Sequence, residues 1–195
     1  MPFNQIGVYE GSEFDHNESG DTFVVRRSYD DDKLFLKLQH EDDDGSESLA
    51  GYIEAISNYD YFLVGNPVSS ECHYTVKFTE VYEAYRNRSL GALLMFIIVR
   101  EVQANGGTYL YLAYPFTEVL GFYIQFGFYP APEHVAYRHQ TALNYRGGEV
   151  LESTIPFQEK IDMHRKYSLW RGNISVALEL IMKKLNGVFS FHPPF

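Results

Sequence analysis

Three features of the sequence predict a mixed α/β fold. Four runs rich in β-branched and aromatic residues follow one another: Thr22 to Tyr29, Leu34 to His40, Leu49 to Ser57 and His73 to Tyr82. Clusters of Asp, Gly, Asn and Pro bound them, as strands require. A 17-residue segment, Ser89 to Asn105, is apolar almost all round and too long for a strand. Asn173 to Asn186 places Ile174, Ala177, Leu178, Ile181 and Leu185 on one helical stripe.

The short acidic turns between the first runs, Asp30-Asp31-Asp32 and Glu41-Asp42-Asp43-Asp44, predict an antiparallel meander with solvated loops. The segment from Ser89 is read as a helix with Ser89 as N-cap and Gly106-Gly107 as its stop. So apolar a helix must be covered on most sides. Thr108 to Ala113 then reads as a strand. Thr117 to Phe126 reads as a short helix, with Thr117 as N-cap and Gly127 as a left-handed stop, and Phe128-Tyr129 begins a further extended piece. Phe157 to Trp170 reads as a less regular helix. In the helix from Asn173, Lys183 and Lys184 complement the negative end of the dipole and Gly187 follows.

The chain divides on this reading into a loose lead-in (1–21), a core (22–131) and a C-terminal extension (132–195) packing on the core. The aromatic tail from Phe189 to Phe195 is expected to pack as an irregular cap. It and the stripe from Ile174 to Leu185 suit a homodimer interface and a cover over the core equally well.

Composition narrows the function. The net charge is −10, with 16 basic and 26 acidic residues in 195. Binding nucleic acid needs clustered Lys and Arg, so no nucleic-acid partner is expected. An acidic balance fits a cationic substrate such as an amine, although keeping the chain soluble explains it as simply. The single cysteine, Cys72, excludes an intramolecular disulfide and reads as structural. No His/Cys cluster has metal-ligand spacing, so no metal is expected. Met1 to Glu10 lacks a basic stretch followed by an apolar one, and the longest apolar run, Leu90 to Val99, is too short to span a bilayer. A cytoplasmic setting without membrane contact is the expectation.

One turn carries chemistry. Arg86-Asn87-Arg88-Ser89-Leu90-Gly91-Ala92 joins a strand to the buried helix. Small residues at a helix start admit a ligand close to the backbone, and the free N–H groups of the first turn, at the positive end of the dipole, attract an anion. Arg86 and Arg88 add charge. An ordinary N-cap with incidental arginines would look the same from this segment alone.

The flanking residues favour the phosphate cradle. Val81 to Leu94 (Val-Tyr-Glu-Ala-Tyr-Arg-Asn-Arg-Ser-Leu-Gly-Ala-Leu-Leu) resembles the acetyl-CoA signature of the GNAT (GCN5-related N-acetyltransferase) family, whose core is Arg/Gln-x-x-Gly-x-Gly/Ala. Arg86, Ser89 and Gly91 occupy the three core positions. Gly121 to Phe128 (Gly-Phe-Tyr-Ile-Gln-Phe-Gly-Phe) is similar to that family's Phe-Tyr-x-x-x-Gly-Phe element, at the usual distance. The resemblance spans roughly residues 34 to 129. The sequence departs from it at Ser89, where the family has glycine, and at Phe116, where an asparagine is common. It also has only a turn where the family places helices between its first two strands.

The resemblance implies an α/β (α+β) GNAT-like fold: a mixed central sheet splayed at the acyl-CoA site, flanked by helices, here with a helical C-terminal extension. It implies acetyl-CoA as co-substrate, held by Val81, Arg86, Asn87, Arg88, Ser89, Leu90, Gly91 and Ala92. The implied reaction is direct transfer of the acetyl group to a primary amine, on a protein lysine, a protein N-terminus or a small molecule. Tyr123 matches the family's frequent general acid. Glu80, beside Val81, is the first candidate for the base, followed by Glu83, Glu118 and His73, with a water chain as the alternative. His134 and His139 are read as surface residues. A degenerate acyl-CoA-binding sensor or protein-interaction module is the competing reading. An acidic mimic of nucleic acid is disfavoured by the embedded cofactor turn.

Overall fold

A computed structural model describes residues 8–30, 33–42, 44–57, 74–113, 115–130 and 169–192. These form one mixed sheet of nine strands. The elements are β1 (Glu13–His16), β2 (Thr22–Asp30), β3 (Lys33–Glu41), β4 (Glu47–Ser57), β5 (Tyr74–Val81), α1 (Leu90–Ala104), β6 (Tyr109–Ala113), α2 (Leu120–Ile124), β7 (Phe128–Pro130), β8 (Leu169–Asn173), α3 (Ile174–Leu185) and β9 (Phe189–His192). The sheet order is β7-β8-β6-β5-β4-β3-β2-β1-β9.

The four expected strands form the antiparallel meander β2 to β5. Alternation sets its faces: Leu34, Leu36 and Leu38 of β3 are buried while Lys37 between them is exposed. β5 and β6 are parallel, so the chain must cross over between them, and α1 is that crossover. α1 buries ten of its 15 residues. It packs against the sheet and against α3, whose Ile174, Ala177, Leu178 and Ile181 are buried. The expected all-round cover of α1 is therefore supplied within the chain, and the apolar stripe of α3 serves as a cover.

Three expectations are corrected. First, part of the lead-in is built into the fold: β1 pairs with β2, and Tyr9 is buried in an aromatic cluster with Phe14, Phe96 and Phe191. Second, Phe189 to His192 forms β9, paired with β1, where an irregular cap was expected. Third, the helix expected over Phe157 to Trp170 gives way at its end to β8, which lies between β6 and β7. The rest of that segment, with His134 and His139, lies outside the described residues. β8 thus makes residues 169–173 part of the central sheet. Its Gly172 admits the ring of Phe128, which a Cβ would meet at 2.9 Å.

Asn173 caps α3: its Oδ1 accepts from Ser175 N–H at 3.0 Å and Val176 N–H at 3.3 Å. The short helix after β6 is composite, a 3-10 turn over Thr117–Val119 followed by α2. Gly127, at φ 79°, supplies the left-handed stop.

One buried ion pair ties the N-terminal segment and β2 to α1. Glu101 accepts from Val8 N–H at 2.7 Å and lies 3.5 Å from the Arg27 guanidinium; the two side chains are 1% and 4% exposed. Arg27 also donates to the Tyr29 hydroxyl at 2.8 Å. Burial raises the Glu101 carboxyl above the ordinary value, against the pull of Val8 N–H and Arg27. Removing one partner strands the other. Arg27→Met is expected to cost about 3–5 kcal/mol at neutral pH, measured by urea unfolding. A carboxyl with a raised native pKa is most stable protonated, so its contribution is full below 4.5 and is lost as pH rises through the native value. The deficit of Arg27→Met should therefore shrink as pH is lowered toward 4.5, and a deficit independent of pH would contradict this account.

Candidate active site

The site begins where β5 and β6 part. They pair only from Tyr74–Leu110 to Val76–Leu112, whereas β5 stays paired with β4 to Val81. The β4–β5 register slips so that Glu54 faces Phe78 and Ala55 faces Val76, leaving Lys77 as an extra residue on β5. Such a bulge bends a strand and ends its pairing. It stands at the point where β6 falls away. Beyond it, Tyr82 N–H donates to Ala50 O at 3.0 Å, toward β4. By strand alternation Val81 and Thr79 direct their N–H and C=O groups the other way, into the gap.

After Val81 the chain makes a 3-10 turn, Glu83–Tyr85, and enters the signature turn. Asn87 (φ 66°) and Ser89 (φ 58°) are both left-handed, the conformation that glycine adopts without cost. Ser89 sits at the N-cap position, as expected, but its side chain makes no capping bond. The first bond of α1 is Leu93 N–H to Ser89 O, at 3.1 Å. Among the described residues no N–H from Asn87 through Ala92 has a protein acceptor. Six consecutive donors thus stand free at the positive end of a 15-residue helix.

Gly91 is required by close approach. A Cβ there would lie 3.2 Å from the Phe122 ring and 4.0 Å from Val81 Cγ2. Val81, Gly91 and Phe122 lie where two spaces adjoin. The larger, about 810 Å³, is lined by Arg86, Asn87 and Ser89 to Ala92 together with Glu80 and Lys184. The smaller, about 260 Å³, is lined by the bulge and by Phe116 and Tyr123. Thr79, Val81, Gly91, Val119 and Phe122 line both.

Most of the sequence-predicted residues converge here, but Arg88 does not line either space. Its guanidinium pairs with Asp21 at the start of β2 and lies 5.5 Å from the Tyr85 ring centroid. Arg86 stays at the cleft, its Nε donating to Val81 O at 3.3 Å. Tyr123 is 7% exposed, and burial raises its phenol above the ordinary value. The Thr79 hydroxyl partly offsets that rise without reaching hydrogen-bond geometry, so Thr79 Oγ1 is a buried oxygen with no partner. Glu80 lines the larger space and not the smaller one that holds Tyr123. Glu80 pairs in register with Tyr52, whose hydroxyl is raised by burial, by Glu80, by Tyr82 and by Glu54. Glu83 and Glu118 are exposed and line neither space, and His73 lies outside the described residues. Phe116 is 71% exposed.

Sequence reasoning missed Thr79 and Phe122 as lining residues, although both flank residues it chose. It read Lys184 only as a complement to its own helix. No group of three or more His, Cys, Asp or Glu among the described residues could hold a metal ion. No described helix is long and apolar enough to cross a membrane.

No protein-family model and no curated protein matches the chain. Among solved structures it is similar to the KacTA–DNA complex, with TM-score 0.48 and 12% identity over 80% of this chain and 76% of that one. It is similar to an acetyltransferase of the GNAT family from Staphylococcus aureus Mu50, with TM-score 0.41 and 14% identity over 73% and 68%. It is also similar to AtaTR bound with AcCoA, with TM-score 0.44 and 11% identity over 76% and 72%.

The Asp21–Arg88 pair holds the signature turn against the meander, and its pH dependence is testable. Burial alone would raise Asp21, but the Ser19 hydroxyl, Arg88 and His40 outweigh it and hold the carboxyl below its ordinary value. A lowered native pKa gives stability that is present above 3.8 and is lost as pH falls through the native value. The unfolding midpoint of the wild type should exceed that of Asp21→Asn from neutrality down to about 3.8, with the gap closing below it. A gap that widens on acidification would rule out the pair as its source.

Proposed function

We propose that the protein is an N-acetyltransferase that moves the acetyl group of acetyl-CoA to a primary amine by direct attack. The observation that carries this is the adjacency of two spaces that share five lining residues. A cradle of six free N–H groups adjoins the gap between β5 and β6, and Tyr123 lines the space at that gap. The two ends suit the two ends of an acyl-CoA. The donors of Asn87 to Ala92, with Arg86, suit a pyrophosphate. The exposed edge of β5 from Lys77 to Val81 suits the amides of a pantetheine arm, which can pair there as an added strand. The absent side chain of Gly91 lets the Phe122 ring pack against the first turn of α1 beside that gap.

The residues at the inner end then have definite tasks. A backbone N–H near Val81 polarises the thioester carbonyl as charge develops on its oxygen. Tyr123, kept protonated by burial, donates to the departing sulfur. Its raised pKa makes complete proton transfer to an ordinary thiolate uphill, so its work is to stabilise the developing charge by hydrogen bonding. The attacking amine must be neutral. Glu80 is the first candidate to take its proton, through water if its carboxylate stays on the Tyr52 face of β5. The left-handed Ser89 and Asn87 reproduce the backbone that glycine would adopt, which favours an intact cradle over a degenerate one.

Acetyl-CoA at 100 times its dissociation constant should stabilise the protein by roughly 2.7 kcal/mol. A thermal scan without any shift would sink the proposal. Thiol release over a panel of amines then separates an enzyme from a module that only binds. Tyr123→Phe should lower kcat by roughly 10²-fold or more with cofactor affinity kept. The reverse pattern would make Tyr123 a packing residue. Gly91→Glu should abolish acetyl-CoA binding in calorimetry, because it puts bulk and negative charge against Phe122 at the mouth of the gap. Retained tight binding would contradict the placement.

A further inference from the structure

Lys184 reaches the cleft from the far end of the chain, and its position follows from topology. Ile174 N–H bonds to Thr108 O at 2.9 Å, so α3 begins beside the C-terminal end of α1. With its apolar stripe buried against α1, α3 runs back along that helix. Ten residues at about 1.5 Å each carry the chain roughly 15 Å, toward the first turn of α1. There Lys184 lines the same space as Arg86 and Ser89. Among the described residues Lys184 has no carboxylate partner. Arg88 is committed to Asp21, so the cations lining the larger space are Arg86 and Lys184.

We infer that Lys184 binds a phosphate of the ligand and thereby fastens α3 to the signature turn. The inference rests on the acyl-CoA reading above and adds to it a contact from the C-terminal extension. Two lysines end α3, and only one lines the cleft. Lys183 complements the dipole of α3 equally well without facing the ligand. A charge-assisted bond to phosphate has a different signature from a helix-end effect: it raises affinity for the phosphorylated ligand and steepens the fall of affinity with salt.

The test is calorimetry of the full chain with CoA, dephospho-CoA and S-acetylpantetheine, which carries no diphosphate. Lys184→Ala should weaken CoA about tenfold at low salt and flatten the salt dependence. Lys183→Ala should match the wild type. S-acetylpantetheine should bind the wild type and Lys184→Ala alike. A loss retained with dephospho-CoA assigns the contact to the pyrophosphate, and a loss confined to CoA assigns it to the 3′-phosphate. Equal CoA affinity in Lys184→Ala and wild type overturns the inference while leaving the acyl-CoA reading intact. An equal loss for S-acetylpantetheine overturns it too, because Lys184 would then act through packing. A wild type that binds no CoA overturns both.

Discussion

The site depends on an interruption of sheet pairing. Parallel strands joined by a helix ordinarily pair along their length, since unpaired backbone groups inside a fold are costly. Here β5 and β6 pair over three residues and separate at the Lys77 bulge. β5 remains held on its other side by β4, so the gap does not unravel the sheet. What lies open is an edge of N–H and C=O groups on Thr79 and Val81, with α1 starting a few residues downstream. The bulge therefore sets two things together: an open strand edge, and the distance from that edge to the helix N-terminus.

Charge allocation around the turn follows from the same geometry. The two arginines of the turn are equivalent in sequence and distinct in space. Arg88 points to β2 and meets Asp21, which the Ser19 hydroxyl and His40 keep ionised. Its charge is used to fix the turn. Arg86, one residue before the left-handed Asn87, stays on the cleft side. Around the left-handed Asn87 and Ser89, six N–H groups lack protein acceptors among the described residues, Arg86 lines the cleft and Arg88 pairs with Asp21. A rigid cradle requires both outcomes, because free donors are useful only where the loop cannot collapse onto them.

Legibility from sequence followed local signal strength. The meander was readable because each strand combines branched and aromatic residues with an acidic turn at its end. α1 was readable from its length, and its open first turn from the small residues at its start. β8 was not. Leu169 to Asn173 is five residues with an arginine and a glycine inside, and its buried setting depends on the Phe128 ring lying over Gly172. β9 alternates Phe, Ser, Phe and His as an edge strand should, but the prolines after it pointed to irregular packing. The bulge has no local signature at Lys77, because it arises from pairing on both sides of β5. Lys184 was invisible for a related reason: the run of α3 back along α1 is a tertiary fact, which the stripe on α3 implies without giving its direction.

For an acidic chain the proposed binding of a polyanion presents an apparent conflict, and range resolves it. Exposed charges are screened over about 8–10 Å at physiological salt, so a net charge of −10 spread over the surface acts weakly at any one point. Among the described residues, Asp30 ends β2 and Asp42 and Asp44 lie between β3 and β4. On the proposed reading, the donors of the cradle and the charges of Arg86 and Lys184 act within hydrogen-bond distance, where screening by salt has little room. The overall charge slows the approach of an anion more than it weakens the final complex. It has the opposite effect on a cationic amine, whose approach it speeds. The face of β4 and β5 that carries Tyr52, Glu54, Phe78 and Glu80 adds carboxylates and an exposed aromatic on that side of the gap. On the proposed reading two reactants of opposite charge are drawn to one interrupted strand pair, the anion by short-range donors and the cation by the field of the whole chain.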